Sequence, residues 1–192
     1  MKKILITLFF LPLFSLGQII SQYVETNKGS SPKGIEIYNN TAATLDFSAT
    51  NLTVWLEQNG ASESLKHTIS SGTLAPNEVL VIGTSGMQTD VQNNNPNCQF
   101  YTEGWQFNGN DNLIVKLDGN VTDTFGRALN NGTAYYSSYG GVKSSNQNIE
   151  RKLGIFSGDL DFFNSTQSNS DNISLYYNTV VNFPSGYPES AS

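Results

Sequence analysis

Residues Ile19–Thr41 read IISQYVETNKGSSPKGIEIYNNT, and this stretch decides the fold class. Two short apolar runs, Ile20–Val24 and Ile35–Tyr38, flank a polar segment holding Lys28, Gly29, Ser30, Ser31, Pro32, Lys33 and Gly34. That pattern predicts two β-strands joined by a connection rich in turn formers. In the second run Ile35 and Ile37 alternate with Glu36 and Tyr38, so the two pairs point to opposite faces of a sheet. Asn39, Asn40 and Thr41 then supply turn chemistry, because Asx side chains bond nearby backbone and tolerate left-handed conformations.

The same reading continues along the chain. Leu52, Val54 and Leu56 alternate with Thr53 and Trp55, which predicts a half-buried strand after a segment over Ala42–Phe47. Asn59-Gly60 signals a tight turn, so Leu65–Ile69 is expected to pair back. Pro76-Asn77 precedes Val79–Ile82, four consecutive apolar residues that predict a strand covered on both faces. Thr84–Glu103 is polar, with Asn93, Asn94, Asn95, Pro96 and Asn97 at its centre, and is expected to be a long loop. Asn108-Gly109-Asn110-Asp111 reads as a turn before a strand over Leu113–Leu117. Asp118-Gly119 signals a hairpin into Val121–Phe125. Glu150–Asp159 reads as strand then turn. Ser165–Asn172 resembles a linker, and Ile173–Tyr177 with Val180–Phe183 is expected to form a last strand pair. No segment after the N-terminal run has helical periodicity. Strands at close spacing predict an all-β sandwich or barrel, with Ile35, Ile37, Leu52, Val54, Val79, Val81, Leu113 and Val115 in its core.

The N-terminus has a different composition. Lys2 and Lys3 precede an apolar run from Ile4 to Leu16, and Ser15 and Gly17 are small residues placed for cleavage before Gln18. This is the pattern of a secretory signal peptide over residues 1–17. The run is shorter than the ~20 residues a membrane-spanning helix needs. Secretion or display at the cell surface is therefore expected, with no membrane span after cleavage. The domain is expected over residues 18–185 and a frayed end over 186–192.

The chain has 10 Lys+Arg against 16 Asp+Glu. Loss of Lys2 and Lys3 leaves eight basic residues and a net charge of −8. An acidic surface repels phosphate backbones, so no nucleic-acid partner is expected unless Lys33, Lys116, Lys143 and Arg151 meet in the fold. Cys98 is the lone cysteine. It has no partner for an internal disulfide, so stability must come from packing.

Several blocks together resemble the lamin tail domain family, especially its secreted bacterial branch. ISQYVE and IEIYN resemble its first strand pair. GTLAPNEVLVI resembles the block in which a proline turn precedes an apolar strand. FNGNDNLIVKL with VTDTFG resembles the block in which a Phe-Asn-Gly turn introduces a hairpin, and ERK at Arg151 resembles a basic spot on a late strand. The blocks span residues 19–153. Gln22 stands where bacterial members usually have Glu, and Asn40 where they usually have Pro. The resemblance implies an immunoglobulin-like β-sandwich and a non-catalytic module that binds or adheres, often beside a secreted nuclease or in a surface protein.

The residues themselves point away from catalysis. His67 is the one histidine, no GxSxG elbow is present, and one His with one Cys falls short of a zinc ligand set. Asn108, Asn110, Asp111 and Asp118 miss the calcium-loop spacing and read as turns. Neither a cofactor nor a metal is expected. Trp55 and Trp105 suit packing better than sugar stacking. Tyr135, Tyr136 and Tyr139 lie in a Gly/Ser-rich segment whose composition resembles binding loops. With Trp105 they are the candidate ligand contacts. The expected partner is an extracellular or cell-surface protein or polysaccharide. The principal expectation is an interaction or adhesion module; a carbohydrate-binding module using the aromatic loop is the alternative, and an accessory domain working with a secreted nuclease or other hydrolase is a further one.

Overall fold

The computed structural model describes residues 17–25, 32–126, 136–161, 167–169 and 171–180. The segment up to residue 16, where a signal peptide is expected, lies outside the described residues, as do Tyr135 and the residues from 181 onward. The chain runs β1 (Gln18–Glu25), β2 (Lys33–Asn39), β3 (Leu45–Asp46), β4 (Leu52–Glu57), β5 (Ser64–Ile69), β6 (Thr73–Leu74) and β7 (Val79–Gly83). It continues with α1 (Gln88–Asn94), β8 (Gln99–Thr102), β9 (Asn112–Leu117), β10 (Asn120–Phe125), β11 (Ser138–Tyr139), β12 (Val142–Lys143), β13 (Asn148–Arg151), α2 (Ile173–Tyr176) and β14 (Tyr177–Val180).

The architecture is the expected all-β sandwich. One sheet has the order β14-β13-β1-β2-β7-β8 and the other β10-β9-β4-β5, with β3-β6 and β11-β12 as small pairs. β1 and β2 are antiparallel neighbours, as the alternation in Ile19–Thr41 predicts. The β4–β5 hairpin turns through Asn59 and Gly60 at φ 53° and 75°, and the β9–β10 hairpin through Asp118 and Gly119 at 48° and 79°. Asp118-Gly119 alone joins Leu117 to its partner Asn120 as a two-residue hairpin whose left-handed pair matches the strand twist, whereas Asn59-Gly60 turns the chain within a longer connection over residues 58–63.

The core lies between the sheets. Ile20 and Tyr23 of β1, Ile35 and Ile37 of β2, and Leu80 and Ile82 of β7 meet Leu52, Val54 and Leu56 of β4 and Leu113 and Val115 of β9. Tyr23 stacks on Phe125 with ring centroids 4.4 Å apart and tilts against Phe107 at 4.9 Å. Stacked and tilted aromatics in a core add stabilisation beyond their buried area.

A second apolar layer covers the outer face of the larger sheet. Val79 and Val81 belong to it, with Ile19, Val24, Tyr38, Met87, Val91 and Cys98. All eight expected core residues are buried, but Val79 and Val81 face this outer layer while Leu80 and Ile82 face the sandwich interior. The continuous run in β7 has its covering on both sides, as its composition predicts.

Two segments depart from expectation. Thr84–Glu103 is not a long loop: a 3-10 turn over Ser85–Met87, α1 and β8 occupy most of it, and β8 pairs parallel with β7. α1 buries Val91 alone, so it has no apolar stripe to read and is held by tertiary packing rather than by amphipathic pattern. Ile173–Tyr176 is a helical turn rather than half of a strand pair, and Tyr177–Val180 pairs instead with β13.

Candidate interaction surface

β14 forms one edge of the larger sheet, and α2 leads directly into it. α2 packs against β11 and β12. A Cβ added to Gly140, in the β11–β12 turn, would come within 2.5 Å of Ser174 Oγ, so the turn sits directly on α2. On the other side, Lys152 donates its backbone N–H to Tyr176 O at 2.8 Å and its Nζ to Ser174 O at 2.6 Å. These contacts bring the β11–β12 turn, α2 and the turn after β13 to one end of the molecule.

Large apolar side chains stand out from this assembly. Tyr136 is 52% exposed, Tyr139 48%, Leu175 57% and Leu153 80%. Single exposed apolar residues are ordinary, whereas several on adjoining elements mark a surface that meets another molecule. The backbone beneath them is anchored. Ser137 N donates to Ser144 Oγ at 2.9 Å, and Ser144 Oγ donates to Gly109 O at 2.5 Å. The exposed side chains therefore project from a tethered scaffold, which lowers the ordering cost of binding.

The sequence-expected contacts divide. Tyr136 and Tyr139 lie on this surface, and Tyr135 falls outside the described residues. Trp105 is elsewhere: it is 3% exposed, packs against Phe107 at 5.3 Å, and donates its indole N–H to Ile82 O at 2.9 Å. Its ring is part of the core and is closed to a ligand. Trp55 is the tryptophan nearer solvent, on the outer face of the smaller sheet, with Lys116 Nζ 4.4 Å from its ring centroid. Leu153 and Leu175 were not candidates in the sequence; each lies in a segment whose apolar residues read equally well as core.

His67 has a partner that the sequence did not reveal. Its Nδ1 lies 3.1 Å from Glu103 Oε2, and its ring meets Tyr101 edge-on at 5.6 Å. The pair bridges β5 to the residue after β8, joining the edges of the two sheets. Among the described residues, no group of three or more His, Cys, Asp and Glu side chains is placed to hold a metal ion. Burial pushes the Cys98 thiol up to about 12, so it stays protonated and unreactive.

Lys33, Lys116, Lys143 and Arg151 do not form a basic patch. Lys33 and Arg151 are buried inside the sandwich. Lys116 is held by Glu63 at 3.0 and 3.1 Å, and Lys143 lies on β12 at the surface described above. Among the described residues, no helix is long and apolar enough to cross a membrane.

Comparison with family models, with curated proteins and with solved structures found no match to this chain.

Proposed function

We propose that this chain is a secreted, non-catalytic interaction module of lamin-tail type that engages an extracellular or cell-surface partner through the surface of Tyr136, Tyr139, Leu153 and Leu175. The observation that carries the proposal is the exposure of these four side chains, all near half or above, at one end of a tethered scaffold. The leader pattern over residues 1–17 supports secretion, and the ordered blocks from β1 to β13 support the lamin-tail assignment. Two leucines beside two tyrosines favour a protein partner, because aliphatic side chains add contact area against apolar groups and little against hydroxyl-rich sugars.

A polysaccharide partner is the second reading, and the half-exposed rings of Tyr136 and Tyr139 favour it. Adding the labelled chain from Gln18 onward to intact cells of the producing organism separates the two. Saturable binding that protease pretreatment of the cells removes supports the protein partner. Binding that survives protease but is lost after periodate oxidation of the cells supports the polysaccharide. Absence of saturable binding to cells and to their secreted matrix contradicts both.

A further inference from the structure

The polar segment before β2 and the Phe-Asn-Gly turn before β9 are far apart in sequence, and they meet at one buried amine. Lys33 opens β2 with its side chain 3% exposed, and its Nζ lies 3.8 Å from Glu25 Oε1, itself on a side chain 4% exposed. Nζ donates to Asn108 Oδ1 at 2.8 Å and to Phe107 O. The Phe107 ring centroid is 5.7 Å from Nζ. Tyr23, which tilts against Phe107, donates its hydroxyl to Glu25 Oε2 at 3.4 Å. A lysine amine, a carboxamide and a carboxylate thus share a pocket walled by aromatic rings.

We propose that Lys33 and Asn108 join in an intramolecular isopeptide bond, with Glu25 moving the proton. The hydrogen bond to Oδ1 holds Nζ beside the carboxamide, so the two reacting groups are already brought together and the reaction becomes intramolecular. Glu25 takes a proton from Nζ, and the free amine adds to Asn108 Cγ. The Nζ–Cγ bond forms, Glu25 passes its proton to Nδ2 and takes the second proton that Nζ sheds as the amide forms, and the Cγ–Nδ2 bond breaks; Nδ2 leaves as ammonia and carries that second proton away as ammonium. The reaction is a transamidation and needs no oxidant, reductant or other co-reactant.

The surroundings suit each step. Burial raises the Glu25 carboxyl above its ordinary range, so it accepts a proton more readily than a solvated carboxylate does. Asn146 N–H donates to Glu25 Oε2 at 3.0 Å and fixes its position. Asp111 Oδ2 accepts the Asn108 backbone N–H at 2.8 Å, and its Oδ1 accepts Asn59 N–H at 2.7 Å, which locks the turn that presents the carboxamide. Asn108 keeps an exposed side, through which ammonia can leave. The product would tie the first residue of β2 to the loop that enters β9, one from each sheet. It would be a covalent lock in a chain whose lone cysteine is buried and free.

Peptide mapping of the folded, purified chain by tandem mass spectrometry tests this. The expected result is a branched peptide joining Lys33 to Asn108, and an intact mass lower by one ammonia than the sequence requires. Cyclisation of an N-terminal Gln18 would also release ammonia, so the branch point rather than the mass decides. Lys33→Ala and Asn108→Ala should each abolish the branch. Glu25→Gln keeps the size of the side chain and should leave the two peptides linear in a folded protein. Recovery of linear Lys33 and Asn108 peptides from the folded wild-type chain overturns the cross-link. A full yield of the branched peptide from Glu25→Gln overturns the role given to Glu25.

Discussion

Arg151 Nη2 lies 2.6 Å from Asp123 Oδ2, and the two side chains are 2% and 0% exposed. The pair sits where the sheets meet at β10 and β13. Asp123 also accepts the backbone N–H of Ile20 at 2.7 Å and that of Asp159 at 2.7 Å. Arg151 donates Nε to Ile20 O at 3.0 Å and Nη1 to Gln167 Oε1. One ion pair thereby ties β1, β10, β13 and two later segments together.

Removing either partner leaves the other charge buried and alone. Asp123→Ala and Arg151→Ala should each destabilise the fold by about 3–5 kcal/mol. The double variant should cost less than the sum of the two, because it leaves no orphaned charge. Urea unfolding at neutral pH measures this; additive losses would show that the two residues act independently.

Glu36 gives the fold a pH dependence. Its carboxyl is buried on the outer face of the larger sheet, accepts Ser21 Oγ–H at 2.6 Å, and is pushed by burial from 4.5 up to about 8. Below pH 4.5 the carboxyl is protonated in both folded and unfolded chains, and its contribution to stability is fully present. Between 4.5 and about 8 the unfolded chain releases the proton while the folded chain keeps it, so stability falls on the order of 1 kcal/mol per pH unit. Above that the folded carboxyl ionises as well, and the loss levels off. Glu36→Gln should match the wild type near pH 4 and exceed it increasingly towards pH 8. A constant gap across that range would contradict the assignment.

Cys98 should resist alkylation in the native protein at pH 8, because burial pushes its thiol to about 12. Iodoacetamide should label it only at the rate of unfolding, and stoichiometrically in denaturant. Prompt labelling without denaturant would place the thiol at the surface.

Duplex DNA should not bind detectably at physiological salt. Lys33 and Arg151 are inside the fold and Lys116 is paired with Glu63, so few phosphates could be neutralised and little counterion release is available. Fluorescence anisotropy that reports binding at or below about 1 µM would overturn this, since non-specific binding is usually weaker.

Much of the sandwich was legible because its strands follow simple rules. The alternation in β2 and β4, the Asn-Gly and Asp-Gly turns and the continuous run in β7 each name their structure from local chemistry alone. α1 and β8 were not legible: one buried residue cannot set a period, and β8 is a strand because β7 offers it an edge. The fate of charged residues was hidden for a similar reason. No local pattern marks Lys33, Glu25 or Arg151 as buried; the partners that satisfy them lie far away in sequence. At the candidate surface, Tyr136 and Tyr139 were visible from composition, while Trp105 went to the core because Ile82 O receives its N–H.

The central claim is that Tyr136, Tyr139, Leu153 and Leu175 form the partner-binding surface. The most direct measurement is the binding isotherm of the chain on intact producing cells, compared with that of the double variant Tyr139→Ser, Leu175→Ser. Both positions are exposed, so the variant should keep the wild-type unfolding midpoint to within about 0.5 kcal/mol per site. Its affinity should fall at least about tenfold, the loss expected when contacts worth more than about 1.4 kcal/mol are removed. A folded double variant that binds with unchanged affinity would contradict the claim.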